Sequence, residues 1–171
     1  NRIIEPTMQG LSEEGIVYKG FIFFGLINVE GEPYVIEYNT RLGDPESEVI
    51  IPRIKSDLFD LIEGVAKEDL EGREIEINER FVTTVMLVSG GYPGDYEKGK
   101  FIHGLDQTEE CVVFHAGTRR LEDKVVTAGG RVLAVSSWGP TMKDALGVSY
   151  RNSGKLSFEG WSYRPDMGFS V

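Results

Sequence analysis

Val35-Ile36-Glu37-Tyr38-Asn39-Thr40-Arg41-Leu42-Gly43-Asp44-Pro45-Glu46 begins as an apolar strand and runs directly into a carboxylate, an amide, a cation and a Gly-Asp turn. Glu37 and Asn39 are two apart, so on an extended strand their side chains leave the same face. That offers two hard oxygen donors to one Mg²⁺ or Mn²⁺, ions that take one or two carboxylates from protein and the rest from water and phosphate. The same string also serves as a hairpin strand with a polar edge and an ordinary helix cap. Just upstream, residues 18–29 are mostly aromatic and aliphatic, and Glu30-Gly31 is a turn pair. Two antiparallel strands, 18–29 and 33–38, are therefore expected to form a tight hairpin that floors the site.

Downstream, Asp44-Pro45-Glu46 carries helix-start chemistry, with Asp at the cap, Pro at the first position and Glu in the first turn. A helix is predicted from there toward Ile51, interrupted by Pro52. Ser56-Asp57 caps a second helix whose Leu58, Leu61, Ile62 and Val65 share one face and read as core. The charged stretch 67–76 is the best boundary, which divides the chain into residues 1–70 and 71–171. Beyond it, 81–88, 112–115, 125–126 and 131–136 read as strands between Gly-rich turns, and Thr141 opens a helix. Tyr92-Pro93-Gly94-Asp95 is a turn and Gly129-Gly130 a hairpin turn. The fold class is thus α+β: antiparallel strands with helices, followed by a small mixed β-rich domain.

With 171 residues the chain can bury a sizeable core. A net charge of −10 argues against binding nucleic acid or an anionic membrane through electrostatics. No apolar run approaches the roughly 20 residues that span a bilayer. The single cysteine, Cys111, excludes an intrachain disulfide, is compatible with a reducing cytosol, and reads as apolar filler beside Val112, Val113 and Phe114. His103 and His115 have no Cys or His at metal spacing and read as structural or edge residues.

The segments Gly20-Phe21-Ile22-Phe23-Phe24-Gly25-Leu26-Ile27, Gly31 to Asn39, Arg41-Leu42-Gly43-Asp44-Pro45-Glu46 and Lys55-Ser56-Asp57-Leu58 resemble the end of the ATP-grasp core of the phosphoribosylamine–glycine ligase family. Gly90-Gly91-Tyr92-Pro93-Gly94-Asp95-Tyr96, Ile102-His103-Gly104-Leu105, Phe114 to Thr118, Gly129 to Leu133 and Tyr163 to Gly168 are similar, in the same order, to that family's C-terminal domain. The resemblance implies that residues 1–70 are the C-terminal part of an ATP-grasp domain and 71–171 the β-rich C-terminal domain. It also implies a cytoplasmic ligase of purine biosynthesis that joins glycine to 5-phosphoribosylamine with ATP hydrolysis. The chain is short for such a two-substrate enzyme and opens at Asn1, so we expect a piece of a longer polypeptide. The N-terminal part of that polypeptide would be its partner, and the piece alone would be inactive.

Carried over by motif, the resemblance makes Glu37 and Asn39 the ligands of Mg²⁺ or Mn²⁺. Arg41 faces the transferring phosphoryl group or the substrate phosphate, unless it forms only a surface ion pair. Gly43 and Asp44 bind substrate, Asp44 doing so beside or instead of capping the helix. Ile36 packs beneath the adenine of ATP or is ordinary core. The chain departs from the family in Tyr38 and Leu42, where phenylalanine is common, and in Phe21–Ile27, which lacks the acid that many ATP-grasp strands supply. Glu-x-Asn-x-Arg-Leu also recurs in other ATP-grasp ligases and biotin-carboxylase-like proteins, and a binding module without chemistry is a third reading. Gly-Asp-Pro-Glu and Gly-Gly-Tyr-Pro-Gly-Asp-Tyr speak for the first.

Overall fold

The structure, a computed structural model, describes residues 2–168. They fall into two compact units, one taking in the chain up to Asp44 together with Ile54–Ile77, the other Pro45–Arg53 and the chain from Asn78 onward.

The first unit opens with α1 (Ile4–Glu13), a helix the sequence analysis did not anticipate. Its start carries no side-chain cap, and Ile3 holds the cap position, so the usual polar start signal is missing. The hairpin follows as β1 (Phe23–Val29) and β2 (Glu32–Asn39), antiparallel throughout. The first strand is shorter than expected. Residues 18–22 stay outside it, where the Tyr18 hydroxyl donates to the carbonyls of Phe21 and Thr40 at 2.8 and 3.0 Å and tacks the two chain segments together. Phe23, Phe24 and Gly25 pair with Asn39, Tyr38 and Glu37, but Leu26 pairs with Val35. Ile36 is therefore the extra residue of a β-bulge, and strict side-to-side alternation fails there. The Tyr38 ring meets Phe24 edge-on at 5.3 Å.

The helix after the signature stretch, α2 (Ser47–Ile50), starts later than the sequence predicts. Glu46, not Asp44, occupies its cap position, and makes no side-chain bond to it. The reason lies in the turn over residues 44–46: the Pro45 carbonyl accepts from Glu48 N–H in a tight three-residue closure at 3.3 Å, and the first α-type bond runs from Ile50 N–H to the Glu46 carbonyl at 3.0 Å. Pro52 lacks the N–H to extend the helix, which ends in a 3-10 turn over Ile51–Arg53.

In the first unit, α3 (Leu58–Lys67) is capped as expected, Asp57 accepting from Phe59 N–H at 2.8 Å and Asp60 N–H at 3.3 Å. Leu61 is buried, but Ile62 is 47% exposed, so the predicted apolar face is only partly covered within this unit. The charged stretch after the helix is tied down. Arg73 folds back on α3, its Nη1 donating to the Asp60 carbonyl at 2.7 Å and its Nε to the Asp69 carbonyl at 2.6 Å. Residues 74–76 bond to 55–56 through Lys55 N–H to the Glu76 carbonyl and the Ser56 hydroxyl to the Glu74 carbonyl. A Cβ at Gly64 would lie 2.8 Å from Arg73 Cδ and 2.9 Å from the Asp69 carbonyl. Gly64→Ala should therefore lower stability even though alanine favours helix by about 1 kcal/mol, because overpacking costs about 1–3 kcal/mol. A melting temperature at or above wild type would refute this account of the Arg73 fold-back.

The second unit is built on β3 (Phe81–Val88), β4 (Cys111–His115), β5 (Thr118–Leu121), β6 (Lys124–Thr127), β7 (Arg131–Gly139) and α4 (Met142–Ser153). A three-stranded antiparallel sheet runs β3-β7-β4, and β5 pairs with β6. Central β7 is buried from Val132 to Ser137, as its near-continuous apolar run requires. Val85, Leu87, Ile102, Val132, Leu133, Val135, Leu146, Leu156 and Phe158 form the core, and α4 packs across β3 and β7. Thr141 caps α4, accepting from Asp144 N–H at 3.2 Å. β5 was not expected: Thr118-Arg119-Arg120-Leu121 is too polar to read as a strand, and pairing with β6 across a two-residue turn holds it instead. Gly129-Gly130 is not a hairpin turn. It bends the chain between β6 and β7, which belong to different sheets, and glycine is needed because a Cβ at Gly130 would sit 2.1 Å from the Tyr92 ring.

Candidate functional site

Sheet register brings the two proposed metal ligands together. Glu37 and Asn39 lie on the same side of the bulge, so their two-residue spacing keeps them on one face of β2. The Asn39 amide donates to Glu37 Oε1 at 2.9 Å. Rotating that amide about its terminal bond would turn its oxygen to the same point, and the pair then offers carboxylate and amide oxygens within one coordination sphere. That donor set fits a hard divalent ion whose remaining positions are filled by phosphate and water. Among the described residues no cluster of three or more His, Cys, Asp or Glu side chains has metal-binding geometry.

Opposite Glu37 stands Gly25, a residue the sequence analysis did not single out. Its signal was legible: one glycine inside an aromatic strand marks a bulge or a close approach. Ile36, the bulged residue, is 65% exposed within its unit. Arg41 is exposed, and its Nη1 donates to the adjacent Leu42 carbonyl at 2.8 Å. Gly43 is buried and Asp44 exposed.

In the second unit, Pro45 and the Tyr92-Pro93 turn line one cavity of about 450 Å³, with Arg131, Tyr163 and Arg164 among its other walls. The Tyr92 ring takes the space a Cβ on Gly130 would fill, and Tyr163 stacks on Trp161 with ring centroids 5.6 Å apart. Arg164 donates to Asp166 from Nε at 3.0 Å, which pulls the Asp166 carboxyl below its usual range. The Gly-Asp-Pro-Glu and Tyr-Pro-Gly-Asp motifs, distant in sequence, thus share this wall through Pro45.

His103 and His115 are exposed; His115 Nδ1 lies 3.1 Å from the Thr118 hydroxyl. Cys111 is half-buried against the core, and burial pushes its thiol up, away from nucleophilic reactivity. No helix among the described residues is long and apolar enough to cross a membrane.

Residues 82–170 match the family described as phosphoribosylglycinamide synthetase, C domain, and residues 1–47 match the ATP-grasp (A) domain of the same enzyme. A phosphoribosylamine–glycine ligase of Chlorobaculum tepidum is 45% identical over 170 residues, covering 97% of this chain and 40% of that protein. One from Caldanaerobacter subterraneus is 40% identical over 166 residues, with the same coverages of 97% and 40%. The crystal structure of phosphoribosylamine–glycine ligase from Thermotoga maritima superposes with a TM-score of 0.80 at 37% identity, over 94% of this chain and 40% of that one. The chain spans about 40% of the length of the curated relatives it matches.

Proposed function

The chain belongs to the phosphoribosylamine–glycine ligase family, and from that premise we propose that it supplies the metal-binding and substrate-binding strand of such a ligase. Together with the remaining part of the polypeptide it would join glycine to 5-phosphoribosylamine, converting ATP to ADP and phosphate through glycyl phosphate. The observation that carries this reading is the convergence of Glu37 and Asn39 at 2.9 Å on the strand that runs into Arg41, Gly43 and Asp44.

Phosphoryl transfer asks little covalent work of a protein; positioning and offsetting of phosphate charge dominate. Bound Mg²⁺ or Mn²⁺ would supply part of that offset at the outer phosphates of ATP. Glu37 and Asn39 would hold the ion, and Arg41, whose planar guanidinium suits phosphate oxygens, turns from the Leu42 carbonyl to the transferring phosphoryl group. Gly43, buried and without a side chain, lets substrate approach the backbone. Asp44 accepts from the amine or ribose hydroxyls of phosphoribosylamine. Ile36 offers an apolar surface to adenine. Residues 1–70 act as the end of the ATP-grasp domain and 71–171 as the C-terminal domain.

Phosphate release by the full-length protein tests the reading. Release should require ATP, glycine and phosphoribosylamine together. Equal release with a different carboxylate and amine, or none under any pairing, would transfer the chain to another ATP-grasp ligase or to a non-catalytic module.

A further inference from the structure

Glu37 reaches its position only because its cross-strand partner has no side chain. Gly25 and Glu37 are Cα partners, and the pairing slips by one residue immediately beyond them, between Gly25 and Leu26. A Cβ built on Gly25 would lie 2.9 Å from Glu37 Cγ, 3.5 Å from the Glu37 carbonyl oxygen and 3.7 Å from its nitrogen. Only the first distance is a clash, and it falls on the side chain. The φ of Gly25 lies outside the left-handed region, so the backbone does not itself demand glycine. What demands it is the Glu37 side chain lying across β1 at this point.

We propose that Gly25 is a positioning residue for the metal site: the gap it leaves sets the path of the Glu37 side chain and aims its carboxylate at the point shared with Asn39. The inference rests on Glu37 and Asn39 being the metal ligands. The bulge strengthens it. One extra residue at Ile36 ends regular pairing on one side, so the register that seats Glu37 over Gly25 depends on the three pairs Phe23–Asn39, Phe24–Tyr38 and Gly25–Glu37. An alanine at 25 keeps those backbone bonds and displaces Glu37 Cγ by a few tenths of an ångström, which moves the carboxylate away from the Asn39 amide.

The test is Mn²⁺ binding by the full-length protein with a non-hydrolysable ATP analogue, read from the electron paramagnetic resonance of unbound Mn²⁺. Gly25→Ala should weaken Mn²⁺ by about 10- to 100-fold, the range for residues that orient a ligand, with the melting temperature nearly unchanged. In a Glu37→Ala background, which has no Cγ to strike, Gly25→Ala should add nothing. Wild-type Mn²⁺ binding in Gly25→Ala, alongside weakened binding in Glu37→Gln, overturns the positioning role and leaves the metal assignment standing. Wild-type binding in both variants overturns the metal assignment as well. Should Gly25→Ala fail to fold, the Gly25→Ala/Glu37→Ala double variant should recover the fold. Failure of that recovery, or an equal loss of Mn²⁺ binding on adding Gly25→Ala to Glu37→Ala, shows that the glycine serves the strand and not Glu37.

Discussion

Glu37→Gln in the full-length protein should lower kcat on the order of 10²–10³-fold, the loss typical of removing one preorganised group that offsets developing charge. Glutamine keeps the size of glutamate and an oxygen, but loses the negative charge that binds a divalent ion. Asn39→Leu should act in the same direction, since leucine fills similar space and offers no oxygen. Neither variant should greatly disturb the fold, because Glu37 is exposed and Asn39 sits at the end of β2. Raising Mg²⁺ should recover part of the Glu37→Gln activity, since a weakened site can still be filled by mass action. Wild-type rates in both variants at limiting Mg²⁺ would remove these residues from the metal site.

The second large effect is expected at Asp44, where the sequence allowed two roles. The structure puts Glu46 at the cap of α2, two residues beyond Asp44. Loss of a cap would cost about 1 kcal/mol, so a capping Asp44 would show itself as a lower melting temperature in Asp44→Ala. We expect instead that Asp44→Asn, which keeps shape and removes charge, lowers kcat/KM for phosphoribosylamine by about 10- to 100-fold, as losing a hydrogen bond to a charged group worth about 1.5–3 kcal/mol implies. Melting should change little. Unchanged kcat/KM for both glycine and phosphoribosylamine would withdraw Asp44 from substrate binding.

Much of this chain is legible in its residues because the signals concerned are local. The Asp57 cap of α3, the Thr141 start of α4, the β1–β2 hairpin and strand β3 each follow from contacts between residues a few positions apart, or from a period that one strand or helix displays by itself. The same holds for the placement of Glu37 and Asn39 on one face, which needs only the two-residue repeat of an extended chain. Tertiary structure decided the rest. α1 starts without a side-chain cap, and β5 has no apolar pattern and is held by its pairing with β6. Arg73 ties the charged stretch, which reads as a domain boundary, back to α3 through bonds to carbonyls up to 13 residues away. The bulge at Ile36 and the clearance over Gly25 exist only between two strands: register is a property of a pair, and no single strand encodes what stands opposite it. Sequence alone therefore put Glu37 and Asn39 on one face of a strand, whereas cross-strand pairing decided that Gly25, a residue with no side chain, stands opposite Glu37.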